Sequence, residues 1–302
     1  MNEHRNGFTQ VELLVALATA TLLAVIVGPA LLAAQEKARK VSCQDRLSTV
    51  AQAFQKYHDV HRAFPPIRTT SPGRHGWGVN LLPFLGLSDL HQKWNFAKHW
   101  YDSENETASS SPVAQLQCPA APADRLMKMG TVDGTEFYGT QGMASDYFAF
   151  HILPGGTRNN YLRGALLHAE PQPLSKITDG AATTILVFES SGRPEHYIRG
   201  VKQDDRSGLF QANWRGPWSS WQIVQYEGYT TDGKASGSDC SINCNNSQGI
   251  YSFHDSGAYA AFCDGSVRFL SEKIPVDVVV ALGTKDGGEV VPLEQLNEAR
   301  TP

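Results

Sequence analysis

From Leu13 to Ala34 the chain carries no charged side chain, and Thr19 and Thr21 are the only polar interruptions. At about 1.5 Å per helical residue this run spans a hydrocarbon core of roughly 30 Å, so it predicts a membrane helix. Gly28-Pro29 lies inside it, where proline removes a backbone donor and kinks or opens a turn. The pattern then changes. Val41, Leu47, Val50, Ala51, Phe54 and Tyr57 recur mostly at three- and four-residue spacing, with Lys40, Arg46, Gln52 and Lys56 between them. Phe64-Pro65-Pro66 ends the pattern, because the residue before a proline is pushed out of helical geometry. One helix over residues 8 to about 62 is expected, its first half in lipid and its second offering an apolar stripe to a sheet.

Further along, residues 67–180 read as loop-rich with short ordered pieces. Trp77 to Leu85 is an apolar run followed by a short helix over Asp89 to Trp94. Polar Ser103 to Ser111 reads as an exposed loop, and Leu116-Gln-Cys118-Pro119 as a strand end or turn. Ser145 to Phe150 predicts a strand, Ile177 to Gly180 a turn, and the β-branched Thr183 to Glu189 a central strand. Ala258 to Cys263 and Ser266 to Leu270 flank Asp264-Gly265, a strong hairpin signal.

With 302 residues, 41% hydrophobic and 19% charged, the chain suits one sizeable domain beyond the helix. A net charge of −4 recommends no nucleic-acid partner. Phosphate-cradling glycine loops, serine-nucleophile elbows and His-Glu-x-x-His helices are all missing from the sequence.

The acid at Glu12 needs an account. A cleaved secretory signal has a shorter apolar core, roughly 7–15 residues, with its small-residue cleavage site beyond it. A plain anchor fits the length but leaves Glu12 unexplained, since a carboxylate in a membrane segment costs about 2.5 kcal/mol or more at mid-depth and marks a partner. The order Gly7-Phe8-Thr9-Gln10-Val11-Glu12 before an apolar helix resembles the class III signal of type IV prepilins and pseudopilins. The resemblance implies a leader over 1–7, cleavage after Gly7 by a prepilin peptidase, and N-methylation of Phe8. It also implies that Glu12 pairs with the amine of a neighbouring pilin-like subunit during assembly. In this family a proline placed like Pro29 coincides with a segment that can unwind in the fibre. Lys37, Arg39 and Lys40 follow the helix while the leader balances Arg5 with Glu3, so loop charge does not itself favour an N-terminus-inside topology.

The C-terminal region extends the likeness. His254, nine residues, then Asp264-Gly265-Ser-Val-Arg-Phe resembles the His-x9-Asp-Gly domain of proteins that also begin with a class III signal. Leu82 to Leu85, Cys118-Pro119, Thr178-Asp-Gly180 with the strand to Glu189, and Ala281 to Val290 match the same pattern. Where such proteins often carry Pro-Gly-Gly after the histidine, this chain has Asp255-Ser256-Gly257. A histidine near a carboxylate can act as general base or metal ligand. Turn chemistry favours a structural role, with His254 bonding the hairpin and Asp264-Gly265 making its turn. Glu189 is a candidate to complete a site with His254, but an ion pair or strand terminus is favoured.

If the bulk of the chain lies outside the cytoplasm, disulfides are permitted. Cys240 and Cys244 share a polar loop and are the favoured pair; Cys263 reads as a buried thiol, and a Cys43–Cys118 bridge is open. No metal and no cofactor is expected. Trp214, Trp218 and Trp221 form a cluster, either a buried satellite core, which is favoured, or an exposed platform for sugar or protein.

Together these readings predict an α+β, pilin-like chain. Its parts are a leader (1–7), a transmembrane helix (8–34), the extramembrane continuation of that helix (35–62), and an extracytoplasmic domain (63–302) with an antiparallel β-sheet and long loops. The expected function is that of a structural subunit rather than an enzyme, single-pass in the inner membrane with its domain periplasmic. The alternative is a membrane-tethered binding module for carbohydrate or protein; an anchored hydrolase using His254 ranks third.

Overall fold

A computed structural model describes residues 9–128, 131–132, 135–136, 141–157, 160–204, 215–289 and 291. The chain divides into two compact units, Met1–Val41 and Ser42–Pro302. Helix α1 runs over Gln10–His61 and belongs to both. In the first unit its apolar side chains are exposed, from Val11 (68%) to Leu32 (68%), and Pro29 is accommodated inside the helix. By length and composition this helix can cross a membrane.

Within the second unit α1 buries Cys43, Leu47, Val50, Ala51, Ala53 and Phe54. The expected stripe is therefore shifted. Val41 is 50% exposed and Tyr57 only partly buried, while Cys43 begins the buried face and Leu47, Val50, Ala51 and Phe54 continue it. The helix stops where Arg62 takes a left-handed backbone (φ 59°), two residues before Phe64-Pro65.

Short helices α2 (Trp77–Leu81), α3 (Ser88–Gln92) and α4 (Ser103–Ser109) follow, with a 3-10 turn at Leu82–Leu85. Helix α4 occupies the segment expected to be an exposed loop, and Asn105, Ala108 and Ser109 are buried there. Its polar residues are satisfied internally. Asn105 accepts the Asn95 amide hydrogen (2.8 Å) and donates to the Asn95 carbonyl (3.0 Å), and Ser109 bonds Ser219 (2.6 Å). A polar sequence can be buried when each group finds a partner, and composition alone does not reveal that.

The main sheet is formed by β1 (Tyr147–Thr157), β2 (Asn160–Leu162), β3 (Ile185–Glu189), β4 (Ile223–Gln225), β5 (Gly257–Phe262) and β6 (Val267–Ser271). Its order is β4-β1-β3-β5-β6, with β2 paired to β1. The β4–β1 pair is parallel and the others are antiparallel. The fold is α+β. Strand β3 is central, and all five of its residues are buried.

The period-2 alternation of β-strands sorts side chains to two cores. Tyr147, Ala149, Tyr259, Ala261 and Cys263 join the face that packs on α1. Phe148, Phe150, Ala258, Ala260 and Phe262 join the opposite face, covered by Val279 and Leu282 of α5 (Val276–Gly283). A strand covered on both sides reads as a continuous apolar run, which is why β3 stands out in the sequence.

Strands β5 and β6 form the expected hairpin through residues 263–266. Gly265 has φ 85°, and Asp264 Oδ1 accepts the Ser266 amide hydrogen at 2.9 Å. At the other end of β5, Ser256 adopts φ 66°, a left-handed geometry that suits glycine better than serine. Two further stretches of the sequence resemblance meet: Asp179 accepts the amide hydrogens of Gly287 (2.7 Å) and Gly288 (2.9 Å).

Candidate functional site

Gly7 and Phe8 lie outside the described residues. Immediately after them, Thr9 and Glu12 close on each other. The Thr9 amide and hydroxyl both donate to Glu12 Oε2 (2.8 and 2.9 Å), and the Glu12 amide donates back to Thr9 Oγ1 (3.3 Å). This is a capping box, which satisfies helix-end donors that would otherwise be orphaned. Glu12 thus has a partner in its own chain. The Thr-x-x-Glu spacing before an apolar run is the sequence signal for it.

The second constellation is in the globular unit. His254 stands just before β5, and Asp264 just after it, so the six residues of the strand lie within the nine that separate them. At the foot of the hairpin, the His254 side chain sits beside Cys118 and Glu189. Its Nε2 is 3.5 Å from Cys118 Sγ and 3.7 Å from Glu189 Oε1. Its ring packs edge-to-face on Tyr259 (5.7 Å between centroids, 84°). Glu189 closes β3 with both oxygens buried; Oε2 accepts the Tyr259 amide hydrogen at 2.7 Å, and Oε1 has no hydrogen-bond donor among the described residues.

Cys118 is bridged to Cys43 of α1. Two residues at the start of β1 hold this bridge in place. Asp146 Oδ2 accepts the Cys118 amide hydrogen (2.9 Å), and the Tyr147 hydroxyl donates to the Cys43 carbonyl (3.3 Å). Asp146 is itself paired with buried Arg125 at 2.5 Å. Burial, with Glu189 and Asp146 nearby, drives the Tyr147 hydroxyl well above its ordinary pKa, so it stays a neutral donor. Cys43, Cys118, Glu189 and His254 therefore meet, with one donor atom from each and all four within 4.8 Å of one another. The pairs Glu189–His254 and Cys43–Cys118 were each open in the sequence; that the two pairs share one place was not.

The second bridge links Cys240 and Cys244, and Cys263 is a buried free thiol whose pKa burial pushes up. Beside the Cys240–Cys244 loop lies a cleft of about 540 Å³, whose polar lining includes His196, Gln203, Gln225, Tyr229, Lys234 and Asn245. Of the tryptophan cluster, Trp218 and Trp221 are described and neither is exposed. Trp218 is fully buried, Trp221 is partly buried with Arg68 stacked on its ring at 3.8 Å, and Trp214 lies outside the described residues.

A model of the family described as "Protein of unknown function (DUF1559)" matches residues 32–277, and the chain belongs to that family. The matched span takes in Cys43, Cys118, Glu189, His254, Asp264 and Gly265 and begins after Glu12. Comparisons with curated proteins and with solved structures match nothing.

Proposed function

We propose that the protein is a pilin-like or pseudopilin-like structural subunit. In this reading a prepilin peptidase trims it after Gly7 and methylates Phe8. The subunit is then held in the cytoplasmic membrane by α1, with the globular unit on the periplasmic side, and joins other pilin-like subunits through that helix. The observation that carries this reading is a single acid, Glu12, at the head of an exposed apolar helix directly behind Gly7-Phe8. Cleavage would create an ammonium at the depth where that carboxylate needs a cation. Both Thr9 bonds fall on Oε2, which leaves Oε1 to accept from a neighbour's amine.

Glu12→Gln separates the two roles of the acid. Glutamine at this position still closes a capping box but carries no charge. The variant should insert and fold normally yet fail to enter the assembled fraction recovered by shearing or crosslinking. Retained incorporation of Glu12→Gln, or a mature N-terminus still at Met1, would sink the assembly reading. A tethered binding module is the second reading, favoured by the polar cleft beside the Cys240–Cys244 loop. Such a module would keep working in Glu12→Gln.

A further inference from the structure

We propose that the Cys43–Cys118 pair has a second state: in the dithiol form Cys43, Cys118, Glu189 and His254 bind a divalent cation of the zinc class, and closing the bridge expels it. The donor set, two sulfurs, an imidazole and a carboxylate, consists of zinc's ordinary ligand types and fills four positions. With metal–donor bonds of about 2.0–2.3 Å, tetrahedral donors sit roughly 3.3–3.8 Å apart. The His254 Nε2 to Cys118 Sγ and His254 Nε2 to Glu189 Oε1 distances, 3.5 and 3.7 Å, already have that spacing.

Glu189 Oε1 gives an independent indication. A buried carboxylate oxygen without a hydrogen-bond donor is costly, and a cation beside it removes the cost. The groups behind the donors are also arranged as at a metal centre. Tyr259 fixes the other Glu189 oxygen, Asp146 fixes the Cys118 backbone, and Tyr147 bonds the Cys43 carbonyl.

While the sulfurs are bridged they have no thiolate charge to offer, so the site is open only to the reduced chain. Closing the bridge transfers two electrons from the two thiolates to the disulfide of an oxidising partner protein. That partner takes two protons from solvent to become a dithiol, and the cation leaves to water. In either state α1 and the Cys118 segment are joined at this point, and the cation would add His254 and β3 to the junction. The inference does not depend on filament assembly.

The test uses the full-length chain in detergent with Cys240→Ser and Cys244→Ser, which removes the other cysteine pair. The protein is reduced anaerobically with a phosphine, exposed to zinc, freed of excess, and its metal content measured; cobalt replaces zinc for absorption spectroscopy. One zinc per reduced chain, none per oxidised chain, and the intense bands of tetrahedral thiolate-bound cobalt are expected. Cys118→Ser should abolish those bands, and His254→Gln or Glu189→Gln should weaken zinc binding at least tenfold. A reduced chain that takes up no stoichiometric zinc, folded or not, overturns the proposal without recourse to any ligand variant. So does zinc held equally by the oxidised chain, or unchanged affinity in Cys118→Ser.

Discussion

Glu189 Oε2 accepts the Tyr259 amide hydrogen at 2.7 Å, while Oε1 of the same carboxylate faces His254 Nε2 at 3.7 Å. One side chain therefore repairs a break in the β3–β5 ladder and faces His254. The register explains why the ladder needs repair. Ala260 pairs with Phe188, so Tyr259 falls beside the last residue of β3, where that residue's side chain supplies the acceptor. This places His254 in the frame of the sheet and away from solvent, at 3% exposure.

From that arrangement, Glu189→Ala should destabilise the globular unit by about 3 kcal/mol, because it strands a buried donor and removes the partner of a buried imidazole. Glu189→Gln keeps an acceptor for Tyr259 and should cost less. His254→Ala opens a cavity beside the carboxylate and should also cost about 3 kcal/mol. Urea denaturation of the full-length chain in detergent, read by near-ultraviolet circular dichroism, measures all three. An unchanged midpoint for Glu189→Ala would show that the sheet does not rely on this carboxylate.

Ser256 offers a gain in stability. It is exposed and holds φ 66°. A non-glycine residue in left-handed geometry costs about 1 kcal/mol, part of which glycine returns through its freer unfolded chain. Ser256→Gly should therefore raise stability by up to about 1 kcal/mol in the same denaturation experiment. A loss of stability would mean that the Ser256 hydroxyl, which donates to the Asp255 carbonyl at 2.7 Å, outweighs the backbone term.

The parts of this fold legible in the sequence are those written in local pattern. The apolar run before Ala34, the stop at Phe64-Pro65, the all-apolar β3 and the Asp264-Gly265 turn each follow from neighbours in the chain. Helix α4 was hidden because its buried residues are polar and are satisfied by partners elsewhere in the fold, such as Ser219. The pairs Cys43–Cys118 and Glu189–His254 were each open in the sequence, but the meeting of the two pairs was hidden for a related reason. Their proximity is produced by α1 packing on the sheet, and no spacing in the sequence encodes it.

His75 and His151 should make the globular unit sensitive to acid. His75 is 4% exposed, contacts Thr69 Oγ1 (3.0 Å) and Asn80 Oδ1 (3.3 Å), and burial pushes its pKa down to about 4 despite the Asn80 bond. Burial, reinforced by His168 and nearby arginines, lowers His151 to about 4 as well. Unfolded, both titrate near 6.5. Between these values the unfolded chain binds protons that the folded chain refuses, so stability rises with pH across the window and falls as the solution is acidified. The contribution is fully present above about pH 6.5 and declines steadily toward pH 4. Thermal midpoints of the full-length chain at several pH values between about 5.5 and 7 should therefore drop on the acid side, above the range in which most ordinary carboxylates titrate. His75→Gln, which keeps hydrogen-bonding groups but binds no proton, should flatten that slope. A midpoint independent of pH in this window would mean that neither imidazole is held neutral by its surroundings.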